Sequence, residues 1–111
     1  MDPKLITGTL EMIILDIVAR APSYGYQITQ TALTESRGYF ELKEGSLYPA
    51  LHRLERQQLL ASFWDKSEEG RRRKYYKITP QGRRSLKKKK DEWSRFTGAV
   101  KGVLGAHVAI S

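Results

Sequence analysis

The chain contains no cysteine. Disulfide frameworks and thiolate metal sites are therefore excluded, and a reducing compartment is the natural fit. Histidine is nearly absent too. His52 and His107 stand alone and far apart, so no pair has metal-ligand spacing. There is no Gly-rich phosphate loop, nucleophile motif or paired-acid motif; Glu41 and Glu44 are close but lack any partner pattern. A non-enzyme without cofactor or metal is expected. No apolar run approaches the ~20 residues of a membrane span, and Met1-Asp2-Pro3-Lys4-Leu5 lacks a signal-peptide pattern. The expectation is a cytoplasmic protein with no membrane partner.

Acidic residues are missing from one long stretch. Residues 71–90 hold eleven Lys or Arg and no Asp or Glu, whereas the remaining nine cations face twelve acids, net −3. A near-neutral body thus carries one strongly basic segment. The overall charge of +8 and pI of about 9.9 favour a polyanionic partner, nucleic acid or an anionic surface. With 111 residues, 29% of them charged and 40% hydrophobic, the composition suits one globular unit with a modest core.

Periodicity supplies the elements. Leu5 to Arg20 is helical, with Ile6, Leu10, Ile13, Ile14 and Ile17 on one stripe and Leu5, Gly8, Met12 and Asp16 largely opposite. Apolar residues on two sides imply cover on two sides, and a second subunit can supply one of them. Ala21-Pro22-Ser23 ends this helix, with Ser23 placed to cap the next. Tyr24 to Ser36 reads as a second helix closed near Gly38. Tyr39 to Leu42 reads as a short strand or extended link.

Gly45 to Gln58 reads as a third helix, anchored by Leu47, Leu51 and Leu54 on one face. Its outer face carries Ser46, Pro49, His52, Arg53 and Arg56, with Tyr48 at the flank. Pro49, about one turn inside, implies a later start or a distorted first turn. Leu59 to Trp64 and Arg73 to Thr79 read as a hairpin joined by Asp65 to Gly70. Thr79 can cap a last helix that has Pro80 at its first position and runs to about Gly105. Leu86, Trp93 and Val100 are spaced by seven, as are Phe96 and Val103, which marks a seam against another long helix.

The order helix, helix, short strand or link, helix, two-strand hairpin, long helix is that of a winged helix-turn-helix: mainly α with a small β-hairpin. Residues 1–79 form the expected DNA-binding part and residues 80–111 a C-terminal dimerisation helix and tail. In such a fold the third helix enters the major groove and the hairpin reaches the flanking backbone. Arg53 can donate two hydrogen bonds to a guanine edge. Ser46 and Tyr48 suit phosphate oxygens. Arg71, Arg72, Arg73 and Lys74 suit phosphate neutralisation and a steep salt dependence. Lys87 to Lys90 cover all sides of a helix, so they read mainly as solvated surface, with non-specific DNA attraction as the alternative.

Three segments resemble the PadR-like transcriptional regulators: Tyr24-Gly25-Tyr26, Gly45-Ser46-Leu47-Tyr48-Pro49-Ala50-Leu51-His52-Arg53-Leu54-Glu55, and Gly70-Arg71-Arg72-Arg73-Lys74-Tyr75-Tyr76-Lys77-Ile78-Thr79-Pro80-Gln81-Gly82. The resemblance covers roughly residues 5–97. It implies a bacterial winged-helix repressor that acts as a homodimer on inverted repeats in double-stranded DNA. It implies DNA contacts at Tyr24, Gln27, Ser46, Tyr48, Pro49, His52, Arg53, Arg71, Arg72, Arg73 and Lys74. Dimer contacts are implied at Leu5, Met12, Leu86, Trp93, Phe96 and Val100. Lys43-Glu44 before the third helix departs from the small polar residue or proline of many relatives. The single C-terminal helix places the chain with the small members.

Some small members carry Trp-Ser-Arg in this helix, with the tryptophan lining a dimer-interface cleft where flat aromatic ligands stack. Trp93-Ser94-Arg95 is similar, and Met12 and Asp16 match cleft-lining positions. A small aromatic effector is thereby implied; the plainer alternative is a Trp93 packed in the dimer seam with no ligand. Two rival functions remain at this level: a winged helix that docks on a protein or anionic surface, and a ligand-capturing sensor with DNA binding secondary.

Overall fold

The computed structural model describes residues 3–110, with side-chain surroundings for residues 8–105. The chain forms α1 (Pro3–Arg20), β1 (Ser23–Tyr24), α2 (Gly25–Glu35), α3 (Glu44–Arg56), β2 (Leu60–Lys66), β3 (Arg72–Ile78) and α4 (Pro80–Ile110). The expectation for Leu5 lies outside the residues whose side chains are described.

The core is built where α1, α2 and α3 converge. Leu10, Ile14, Leu15, Ile17 and Val18 of α1 meet Ile28 and Ala32 of α2 and Leu47, Ala50, Leu51 and Leu54 of α3. Fully burying one such aliphatic side chain stabilises the fold by about 1.5–3 kcal/mol. Tyr76 of β3 and Leu60 of β2 close the core on the sheet side.

Helices α2 and α3 both end in the same device. At α2, Gly38 N donates to Leu33 O and Arg37 N to Thr34 O, with Arg37 at φ 54°. At α3, Leu59 N donates to Leu54 O and Gln58 N to Glu55 O, with Gln58 at φ 62°. Both are left-handed C-terminal caps that satisfy carbonyls the helix leaves free. Neither left-handed residue is a glycine; at α2 the glycine comes one place later.

The sheet has three strands in the order β1-β3-β2, all antiparallel. Here the structure corrects the sequence reading. Tyr39 to Leu42 forms no strand; Phe40 N is taken by the Ser36 hydroxyl, and Phe40 and Leu42 pack on the core from an irregular link. The third strand is Ser23–Tyr24, paired with Tyr76 and Tyr75. Ser23 does not cap α2. Its hydroxyl donates to Ala21 O, and Gln27 Oε1 instead accepts the Tyr24 N–H at the start of the helix.

Helix α3 begins at Glu44, with Lys43 as an N-cap lacking a side-chain bond. The carboxylate of Glu44 in the first turn favours the positive end of the helix dipole. Pro49 stays inside the helix on its exposed side, where its ring faces the carbonyl of Gly45, four residues back. At α4 the reading and the structure agree. Thr79 Oγ1 accepts from Gly82 N at 2.9 Å, with Pro80 first in the helix. At 31 residues, α4 is about 46 Å long and dominates a molecule of 58 × 29 × 23 Å. Among the described residues no helix is long and apolar enough to cross a membrane.

Candidate nucleic-acid interface

A groove of about 810 Å³ separates the first turn of α2, the outer flank of α3 and the β2–β3 hairpin. Tyr24, Tyr48, His52, Arg72, Arg73 and Lys74 line it. Tyr24, buried at 8% exposure, meets Tyr75 edge to face at 5.3 Å. The Arg73 guanidinium lies over the Tyr24 ring, 5.1 Å from its centre. Arg72 stacks on Trp64 at 4.6 Å. Lys74 faces Glu55 of α3 at 3.7 Å, and the Ser62 hydroxyl donates to the same carboxylate. Glu55 therefore ties the helix to the hairpin and fixes the width of the groove.

Of the residues expected to touch DNA, the structure gathers these six. Arg71 is exposed at the hairpin turn, where Ser67 N donates to Arg71 O and Gly70 adopts φ 82°. Ser46 and Pro49 are exposed on the opposite edge of α3. Gln27 uses its side-chain oxygen in the cap described above. Arg53 lies on that edge of α3 too, and its Nε donates to Glu11 Oε1 of α1 at 3.1 Å. The sequence reading missed two groove-lining aromatics, Tyr26 and Trp64, which are 62% and 57% exposed. Their signal was available: large aromatics interleaved with the cations of one surface.

A second cleft, of about 390 Å³, lies between α1, the end of α2 and α4. It brings Met12, Asp16 and Trp93 together, with Phe40, Arg20 and Lys90. Asp16 receives Lys90 at 2.5 Å and Arg20 at 2.9 Å, and Arg20 also reaches Glu35 at 2.6 Å. The hydrogen bond from Lys90 holds the Asp16 carboxyl below the usual range, against the opposing effect of burial. The same network raises the Arg20 guanidinium further, through Glu35 first. Lys90 is thus a specific partner of α1 rather than one of four equivalent surface lysines.

Leu86 requires a correction. It is 7% exposed and packs in the protomer's own core rather than standing out on the helix surface. Beyond it the picture changes. Trp93, Phe96, Val100, Val103 and Leu104 are all at least 40% exposed; the first four recur at steps of three, four and three, with Leu104 four beyond Val100, one continuous apolar stripe.

The family model of the PadR-like transcriptional regulators matches residues 14–88. The chain belongs to this family. A crystal structure of a PadR-like transcriptional regulator from Bacillus cereus superposes with a TM-score of 0.80 at 31% identity, covering 91% of this chain and 96% of that one. A transcriptional regulator of Mycobacterium tuberculosis is 38% identical over 79 residues, 71% of this chain and 70% of the relative. Another, from Escherichia coli, is 31% identical over 94 residues; the chain spans 44% of its length. Members of the PadR-like family are transcriptional regulators rather than enzymes, and the winged helix described here is their DNA-binding fold. The function at this level is DNA-binding regulation of transcription.

Proposed function

We propose that two copies of this chain pair through the exposed stripe of α4 and repress transcription from an inverted-repeat operator. Residues 1–79 act as the DNA-binding head and residues 80–111 as the pairing helix and tail, within the cytoplasm. One observation carries the reading. The cationic groove and the apolar stripe are both exposed, on different parts of the same protomer. A stripe of this kind is the self-complementary surface a two-fold dimer needs. The groove supplies cations at hydrogen-bonding reach of a backbone.

Within the head, Ser46, Pro49, His52 and Arg53 of α3 face the bases and Tyr48 the adjoining phosphate. Arg71, Arg72, Arg73 and Lys74 hold phosphates across the groove, with Tyr24 and Gln27 at the start of α2. Met12, Trp93, Phe96 and Val100 supply pairing contacts. An electrophoretic shift on the DNA upstream of the protein's own gene tests the proposal. Retardation abolished by excess specific duplex supports it, and binding that unrelated DNA competes away equally well contradicts it.

The second cleft favours an added function. A half-exposed tryptophan beside Met12 and Phe40, over a paired carboxylate, offers a flat apolar wall with a polar edge. A small aromatic effector bound there would shift the balance between two settings of the α3 helices. Trp93 fluorescence, read against a Trp93→Phe variant because Trp64 also emits, tests this with planar aromatic dyes.

A further inference from the structure

Arg53 of α3 and Glu11 of α1 form an ion pair, Nε to Oε1 at 3.1 Å. Arg53 belongs to the exposed edge of α3: Ser46, Pro49, Arg53 and Arg56 succeed one another at steps of three, four and three. Its guanidinium is anchored from behind. The Glu11 side chain is 14% exposed and that of Arg53 35%, so the carboxylate sits inside and the guanidinium reaches out. Only Nε is engaged, and among the described residues Nη1 and Nη2 have no protein partner.

That geometry has a chemical consequence. A guanidinium carries five N–H donors in one plane. Holding Nε fixes the plane and leaves the four N–H groups of the terminal fork, the pair of nitrogens that can match O6 and N7 of guanine. An arginine already held at one nitrogen has less rotamer freedom to lose on docking. The adjacent carboxylate also cancels its charge at distance, so the side chain adds little to attraction for phosphates of any sequence. Both effects raise the ratio of specific to non-specific affinity.

We infer that Glu11, on the first helix, is a positioning residue that orients Arg53 for base recognition and mutes it toward bare phosphate. This rests on the reading of α3 as the base-contacting helix.

The test begins with the wild-type protein enriching duplexes from a random-sequence pool. The enriched duplex and a shuffled duplex of equal composition are then titrated with wild type, Glu11→Gln, Arg53→Lys and the double variant. Glu11→Gln should lower the ratio of enriched to shuffled affinity by about tenfold, the order of one bidentate base contact. In the Arg53→Lys background the same change should alter the ratio by less than about twofold. Glu11→Asp, with a shorter arm, should weaken the enriched duplex alone, which keeps the question open to test if Glu11→Gln folds poorly. A ratio unaffected by Glu11→Gln, or equal gains on both duplexes, overturns the inference: Glu11 then merely fastens α1 to α3 or withholds Arg53 from DNA. A wild-type protein that enriches no sequence overturns the reading of α3 as well, and is told apart because it appears before any variant is made.

Discussion

A Cβ added to Gly82 would stand 2.1 Å from the carbonyl oxygen of Leu59. The same oxygen accepts Thr79 N at 3.1 Å and lies 3.1 Å from the Thr79 hydroxyl. The start of α4 is thereby pressed onto the junction of α3 and β2. Because the obstacle is backbone, it cannot swing aside. Gly82→Ala is expected to destabilise the protein by about 3 kcal/mol, the upper range for an overpacked site. Gly98→Ala, where nothing lies within 4 Å, should instead stabilise by up to ~1 kcal/mol. Urea unfolding of the two variants checks both signs.

Gln58 holds the left-handed cap of α3 at φ 62°, a conformation that costs any residue with a Cβ. Gln58→Gly is expected to raise stability by about 0.5–1 kcal/mol. A lower urea midpoint would show that the Gln58 side chain contributes more than its backbone strain removes.

Asp16 links α1 to α4 through Lys90 and to α2 through Arg20. Its carboxyl is held below the ordinary value, so its contribution is present above the unfolded value of about 3.9 and is lost as pH falls through the lower, folded one. Wild type should exceed Asp16→Asn in stability near neutral pH by about 0.5–1 kcal/mol, the range of partly exposed pairs. The two should converge below about pH 3.9. Urea midpoints across that interval measure the convergence; a constant gap would mean that shape rather than charge is at work.

The hairpin cations make a separate prediction. Neutralising Arg72 and Arg73 together should weaken binding on every duplex and lower the salt slope by about two. Fluorescence anisotropy at several salt concentrations gives the slope, and an unchanged value would exclude phosphate contact there.

Pairing is tested on α4. Phe96 and Val100 are 58% and 40% exposed, so a charge there leaves the protomer core intact. Phe96→Glu should shift the chain toward monomer by at least about tenfold in dissociation constant, measured by sedimentation, and should weaken operator binding in parallel. Leu86→Ala should act differently. Its loss empties the protomer's own core and is expected to cost about 2–5 kcal/mol of stability.

Local signals made much of this architecture legible. The steps from Leu47 to Leu54 located α3, and Thr79-Pro80 located the start of α4, because caps and helical periods are written in neighbouring residues. What escaped depended on distant partners. Two-residue β1 exists because Tyr24 and Ser23 find Tyr75 and Tyr76 some fifty residues away, which no local pattern encodes. Leu86 fits the heptad spacing of a dimer seam as well as it fits the core, and only packing against α1 decides. The pairing of Arg53 with Glu11, 42 residues apart, and of Lys90 with Asp16 is invisible for the same reason. The cations that line the groove stand out in the sequence, while Trp64 and Tyr26 each read there as an ordinary strand or helix aromatic.

In the proposed dimer, α3 and the hairpin of each protomer grip DNA as a two-fold pair. Hydroxyl-radical footprinting of the wild-type protein on its enriched duplex tests it most directly. Two symmetric protected patches, centred about one helical turn or a multiple apart and both lost in Phe96→Glu, are the expected result. A single unsymmetrical footprint that survives Phe96→Glu would contradict it.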